Sequence, residues 1–228
     1  MSSDITDGAI SYGWTVMKRD VIFYAGITFF AIAISIFVSG MAEIMKPDGE
    51  IFFAILNSAI SFFIELGFAI VFLNSVMDGQ TPSITDFCVE VPLYFNFILA
   101  SILYSLIIMV GTLLLIVPGI IWGIKYGFYP YAMIDEGLGP IEALKRSGQI
   151  TEGAKWDIFI FGFFVGLVNI LGALALGFGL LLTIPTTGIA YAYVYCVLVG
   201  RAEIGSSPAD GEPVRQNVNV PVMSARKR

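Results

Sequence analysis

Six long apolar runs lie between residues 20 and 200, broken by few charges, and they hold most of this 228-residue chain. A helix crossing the hydrocarbon layer needs about 20 apolar residues at about 1.5 Å of rise each. Residues 21–41, 51–77, 93–116, 156–176 and 180–200 meet that length, even with Glu65 inside the second. The run 120–134 is short at 15 residues. It is counted as a sixth span on the expectation that the turn Pro118-Gly119 before it lies below the outer surface. With 57% hydrophobic and 13% charged residues, the chain carries more apolar surface than a water-soluble core of this size could bury.

In lipid each backbone N–H and C=O must be paired within its own segment or by neighbouring protein, so only helices or closed barrels span a membrane. Barrel strands alternate apolar and polar positions, and Phe161-Gly162-Phe163-Phe164-Val165 does not. The expected fold is therefore an all-α polytopic membrane bundle. Asp4 and Asp7 near the N-terminus, with no small-residue cleavage site after the first run, predict an uncleaved anchor at 21–41.

Positive charges flanking spans are retained in the cytoplasm. Six spans put both termini and the connections 78–92 and 135–155 on one side. That side holds Lys18, Arg19, Lys145, Arg146, Lys155, Arg201, Arg215, Arg226, Lys227 and Arg228, ten of the twelve basic residues. The opposite side holds Lys46, and Lys125 lies within a span. A multi-pass cell-membrane protein with both termini cytoplasmic is predicted. The net charge of −6 argues against a nucleic-acid partner, because the basic residues are spent on topology. Cys88 and Cys196 are read as small apolar fillers that build no disulfide framework.

The chain also repeats itself. Leu113-Leu114-Leu115-Ile116-Val117-Pro118 and Leu180-Leu181-Leu182-Thr183-Ile184-Pro185 are offset by 67 residues, and Tyr126 and Tyr193 share that offset. This predicts hairpins that turn at a proline. A short segment with a lipid-facing stripe is expected before each hairpin: Ile10, Trp14 and Met17; then Ile84, Phe87, Cys88 and Val91. In the third, Pro140 starts a helix with Ile141 and Leu144 on one side and Glu142 and Arg146 one turn apart. The expected architecture is three like-oriented units of interfacial amphipathic helix plus hairpin. One transmembrane domain covers 1–201, and a disordered cytoplasmic tail covers 202–228. Duplication of a stable hairpin explains such a repeat without transport.

Residues 111–157 carry a likeness to a known group. Leu113 to Gly119, Lys125-Tyr126, Gly139-Pro140-Ile141-Glu142-Ala143-Leu144-Lys145-Arg146-Ser147 and Thr151-Glu152-Gly153-Ala154-Lys155-Trp156 resemble an uncharacterised family of prokaryotic six-span integral membrane proteins. That family includes proteins named after the membrane domain of glycerophosphodiester phosphodiesterases. With Gly13-Trp14 through Lys18, the likeness covers roughly 10–200. It implies a fold and no settled activity, and the soluble phosphodiesterase domain of some relatives is not in this sequence.

Ionisable side chains within spans are costly unless paired or hydrated, and Glu65 and Lys125 are the two that lie well inside. Counting residues puts Glu65 about 21 Å from the outer end of its span and Lys125 about 9 Å below Pro118-Gly119. A deep turn would bring these depths together. Asn57, Ser61 and Glu65, spaced by four, share one stripe, with Glu65 expected to face the bundle interior. The pair is read as a structural ion pair or the lining of a small wet cavity. A cation or proton pathway, or an outward-snorkelling Lys125 with a protonated Glu65, are the alternatives. Gly162, Gly166, Asn169 and Ala173 form a small-residue face for close helix packing, within the chain or between protomers. Tyr126, Tyr129, Tyr131, Tyr191, Tyr193 and Tyr195 are expected toward the cytoplasmic half, partly as interface anchors.

Enzyme readings find no support. The chain has no histidine, which removes serine–histidine and histidine-ligated metal chemistries. Asp20 and Asp157 sit at span ends, and two separate cysteines build no metal site. No catalytic, cofactor-binding or metal residue is assigned. Two classes remain: a non-catalytic membrane module (scaffold, assembly factor, accessory subunit or lipid organiser) and a transporter or channel for a small solute or lipid using the Glu65/Lys125 region. The module is preferred, with membrane lipids, other membrane subunits or a second copy as partners. A filled bundle with an apolar outer groove favours it; a continuous aqueous path favours transport.

Overall fold

The computed structural model describes residues 2–45, 50–79, 91–175 and 177–202. Among these the chain is all-helical: α1 (Ser2–Arg19), α2 (Val21–Ile44), α3 (Glu50–Met77), α4 (Val91–Leu114), α5 (Ile116–Tyr126), α6 (Tyr129–Glu136), α7 (Pro140–Ile150), α8 (Lys155–Leu174) and α9 (Leu180–Leu198). Five of them, α2, α3, α4, α8 and α9, are long and apolar enough to cross a membrane. Their outer faces carry Ile22 at 88% exposure, Leu113 at 85% and Ile44 at 77%. A surface of this kind belongs in hydrocarbon, because soluble monomers do not expose apolar patches so extensive.

The fourth span expected at 120–134 is not one helix. At 11 and 8 residues, α5 and α6 reach about 16 Å and about 12 Å, and each falls short of a bilayer core. The run breaks at Gly127-Phe128. Protein covers the start of α6, since Phe128 through Met133 are all buried.

The centre of the fold is α9, apolar on all sides and packed against α1, α2, α3 and α8. Tyr193, Tyr195, Ile189 and Cys196 lie in its core with Tyr24, Leu73 and Phe161 from neighbouring helices. A second core gathers Leu66 of α3, Phe97 and Ala100 of α4, Tyr129 and Met133 of α6, and Ala143 and Leu144 of α7.

The first amphipathic helix differs from the lipid-facing reading. Met17 is fully buried, Ile10 is half-buried and Trp14 alone of that stripe is exposed. The inward stripe is Ile5, Ala9, Tyr12, Val16 and Met17, directed at α9 and α8. At the crossing point, a Cβ on Gly13 would collide with the Thr186 carbonyl oxygen. Tyr12 stacks on Tyr193 with ring centroids 4.4 Å apart. Burial pushes the Tyr12 hydroxyl above its ordinary pKa. Tertiary packing thus claims the face that lipid was expected to take. The second such segment, with Ile84, Phe87 and Cys88, lies outside the described residues, as does the tail from 203 onward; Val91 opens α4 and is exposed.

The hairpin turns correct the proline reading. Pro118 falls in the first turn of α5, where a missing N–H costs little, but Pro185 lies inside α9, buried and away from the turn. What the two turns share is glycine. Gly111 and Gly119 meet where α4 approaches α5, and Gly172 and Gly179 meet where α8 approaches α9. Leu113 through Val117 are exposed in an unbroken apolar row, the composition of a turn set in hydrocarbon.

Candidate functional site

The break between α5 and α6 organises the polar groups of the bundle interior. Its loose backbone ends are taken up by α7. Ser147 Oγ accepts from Phe128 N–H at 3.1 Å and donates to Lys125 O at 3.0 Å. One turn on, Thr151 Oγ1 reaches Lys125 O at 3.1 Å. Both hydroxyl residues are fully buried, so each bond stands in place of water the site cannot admit. Tyr104 of α4 donates to Gly123 O at 3.3 Å.

This use of α7 divides the stripe expected to face lipid, Leu144 turning inward and Ile141 outward. Ala143, Leu144, Ser147 and Gly148 are buried, whereas Ile141 is 59% exposed. The expected Glu142–Arg146 pairing is replaced as well. Glu142 accepts from Gly139 N–H at 3.3 Å as a helix cap, and Arg146 Nε pairs with Glu136 of α6 at 2.8 Å.

Glu65 and Lys125 are not brought together. The Lys125 ammonium lies 5.1 Å from the centre of the Tyr126 ring, a cation–π contact. Glu65 is exposed on α3 and has no hydrogen bond or ion pair among the described residues. Asn57 and Ser61 do not reach it: Ser61 Oγ donates to Asn57 O at 2.8 Å, and the Asn57 side-chain oxygen is buried without a partner.

These tyrosines are interior groups rather than interface anchors. Tyr129, Tyr131, Tyr193 and Tyr195 are all buried. Tyr129 and Ser101 Oγ are 2.8 Å apart, Tyr131 donates to Gly188 O at 3.4 Å, and Tyr195 donates to Asp135 Oδ2 at 2.8 Å. Tyr104 and Tyr191, with Gly123, Gly127, Phe128 and Gly162, line a side groove of about 470 Å³ beside the break. Tyr191 makes no hydrogen bond among the described residues.

The packing face is realised only in part. Gly162 faces Tyr191, and Asn169 donates to Thr187 Oγ1 of α9 at 3.3 Å. Gly166 has no atom within 4 Å of a hypothetical Cβ, and Ala173 is exposed. The close approach lies instead at Gly172, against Thr183 and Gly179. Helix direction explains the shift, since α8 and α9 converge toward their shared turn.

Sequence reasoning missed a buried ion pair. Arg201 pairs with Asp135, their side chains 11% and 4% exposed. Gly200 adopts φ +78, and Gly200 N–H and Arg201 N–H bond Val197 O and Cys196 O at 3.0 and 2.8 Å, a Schellman cap that turns Arg201 back onto α6. Arg201 had counted only as a topology signal; the glycine after the last apolar run was the available clue.

An all-helical body with an apolar exterior, five crossing-length helices and a protein-covered helix break is that of an integral membrane protein. No family model matches the chain, and no curated protein or solved structure compared with it matches. Among the described residues no group of three or more acidic or cysteine side chains is placed to hold a metal ion.

Proposed function

We propose that the protein is a non-catalytic, multi-pass module of the cell membrane that seats a lipid acyl chain on its outer face and so organises lipid around itself or an associated subunit. In this reading α5 and α6 together make the sixth passage, three hairpins stand in like orientation, and both termini lie in the cytoplasm. The likeness of residues 10–200 to uncharacterised six-span membrane proteins fits the same architecture.

One observation carries the proposal. A groove of about 690 Å³ runs between α2 and α3, lined by Ile27, Phe30, Ile34, Ile60, Phe63 and Phe68 among others. That volume falls within the usual range for a ligand pocket, roughly 300–1,000 Å³. Walls without charge favour an acyl chain over a headgroup. The interior offers the contrast, since large side chains such as Tyr24, Phe97, Phe128, Phe161 and Tyr193 are fully or nearly fully buried in it.

The test is lipid retention. Ala31→Phe with Ala59→Phe fills the groove, and native mass spectrometry of the purified protein should show retained phospholipid falling at least about fivefold, as losing a buried chain's contacts requires. Ile55→Phe, at an exposed position of α3, should change nothing. Unchanged retention in the filled variant, or solute flux through proteoliposomes, would replace this proposal with transport. The second reading has its own observation: a discontinuous helix beside an intramembrane acid is a transporter feature.

A further inference from the structure

The geometry points to the side groove at the helix break as a binding site for an uncharged lipid, held through an acceptor oxygen at the Tyr191 hydroxyl. The groove is formed by α4, α5, α8 and α9, and it shares no lining residue with the α2–α3 groove, so it stands independently of that reading. Its volume of about 470 Å³ is that of a ligand site. Two glycines keep it open. Outside its own helix, a Cβ on Gly162 would have one neighbour within 4 Å, the Tyr191 hydroxyl oxygen at 3.5 Å. A Cβ on Gly123 would meet only Ile108 Cδ1 at 3.6 Å and the Tyr104 hydroxyl oxygen at 3.9 Å. Each hydroxyl therefore stands over space that a glycine leaves free, in contrast to Gly172, whose Cβ would strike Thr183.

Hydrogen bonding and charge select the occupant. A tyrosine hydroxyl has one hydrogen to give. Tyr104 gives its hydrogen to Gly123 O, whereas Tyr191 gives its own to no described residue. The Tyr191 ring meets Phe161 edge-on at 4.8 Å between centroids and lies 6.2 Å from Phe128, which sets the position of its hydroxyl. A donor held in place in this way is matched by an acceptor oxygen. Among the described residues no charged side chain lines the groove, and the Lys125 ammonium is engaged by the Tyr126 ring. An ionised headgroup would thus lose its hydration without gaining a counter-charge. The remaining walls, Ile120, Ile124, Ile158, Phe159 and Phe163, suit a hydrocarbon body. Ile120 and Phe163 are exposed, and Phe163 continues along α8 into the exposed row Leu167, Ile170 and Leu174, so the mouth opens on a lipid-facing surface. Water alone could accept from Tyr191 but would wet these walls; a long-chain alcohol or ester matches both.

Photolabelling tests the assignment. The full-length protein in phosphatidylcholine nanodiscs is irradiated with a diazirine-bearing hexadecanol, and the adducts are located by peptide mass mapping. Saturable labelling is expected on α5, α8 or α9 beside the groove. Unlabelled hexadecanol and methyl hexadecanoate, two sources of the same acceptor oxygen, should each suppress it, and the one effective at lower membrane content identifies the source. Hexadecane and hexadecyl phosphate at equal membrane content should leave it unchanged. Tyr191→Phe removes one neutral hydrogen bond and keeps the ring, so half-maximal labelling should need about two- to tenfold more probe. Gly162→Leu extends a side chain into the groove without striking backbone and should abolish the saturable component. Gly166→Leu, one turn along α8 in open space, should leave it intact and controls for folding. Adducts on α2 and α3 report the other groove, so either site can fail alone. Labelling that never saturates, equal suppression by hexadecane or hexadecyl phosphate, or unchanged labelling in Tyr191→Phe or Gly162→Leu would each overturn the assignment.

Discussion

Replacing Asp135 with leucine tests whether the two ends of the fold are locked together by the Asp135–Arg201 pair. Arg201 is 11% exposed and its guanidinium also contacts Met77 Sδ at 3.8 Å, so no solvent route opens when the carboxylate is removed. An uncompensated charge in such a place costs about 3–5 kcal/mol. The buried Tyr195 hydroxyl also loses its acceptor, which adds about 1–3 kcal/mol, only partly additively. Asp135→Leu should therefore destabilise the protein by about 3–5 kcal/mol. Arg201→Met should cost a similar amount, because it strands the carboxylate. Making both changes removes the two desolvated charges at once, and the double variant should lie within about 2 kcal/mol of wild type. The assay is reversible unfolding in mixed micelles with rising dodecyl sulfate, followed by tryptophan fluorescence. A loss below about 1 kcal/mol for Asp135→Leu, or additive losses in the double variant, would show that the pair does not fasten α6 to the end of α9.

Three further outcomes follow from the same packing. Ser147→Ala should cost about 1–3 kcal/mol in that unfolding assay, since it strands the buried Phe128 N–H, and Ser147→Thr should recover part of the loss. Gly13→Leu should destabilise by at least about 2 kcal/mol and expose α1 to protease, because α1 crosses α9 against the Thr186 backbone. Gly166→Ala should be neutral or stabilising by up to about 1 kcal/mol, whereas Gly172→Ala should destabilise, since only the latter meets Thr183 and Gly179. Equal effects at those two glycines would refute the placement of the α8–α9 approach.

The long spans were legible because their length and apolarity answer to the solvent, whatever their neighbours. Features that depend on a distant neighbour were not. Trp14 and Ile10 mark an apolar face on α1, but whether lipid or α9 covers α1 is decided at Gly13 by Thr186 and Ala190, far along the chain. Glu142 and Arg146 have ideal one-turn spacing, yet a helix cap and Glu136 both offered better geometry. Gly127 gave no local warning of the break, since its φ −67 and ψ −16 are helical values. Asp135 and Arg201 are 66 residues apart, and nothing local in the sequence links them.

The broken helix also explains why Glu65 and Lys125 part company. A buried helix break must find partners for its backbone within the protein, and α7 supplies them at Phe128 N–H and Lys125 O. With α7 packed against the break, its Gly148 meets the Lys125 stem, and the ammonium is directed to the Tyr126 ring. A larger residue at 148 would press on the lysine Cε, so the glycine and the lysine conformation are one arrangement. Lys125 is thereby committed to the scaffold, and a counter-charge for Glu65 cannot come from it without dismantling the clamp. Glu65, exposed on α3 and without an ion pair among the described residues, is thereby left with no counter-charge from the broken helix.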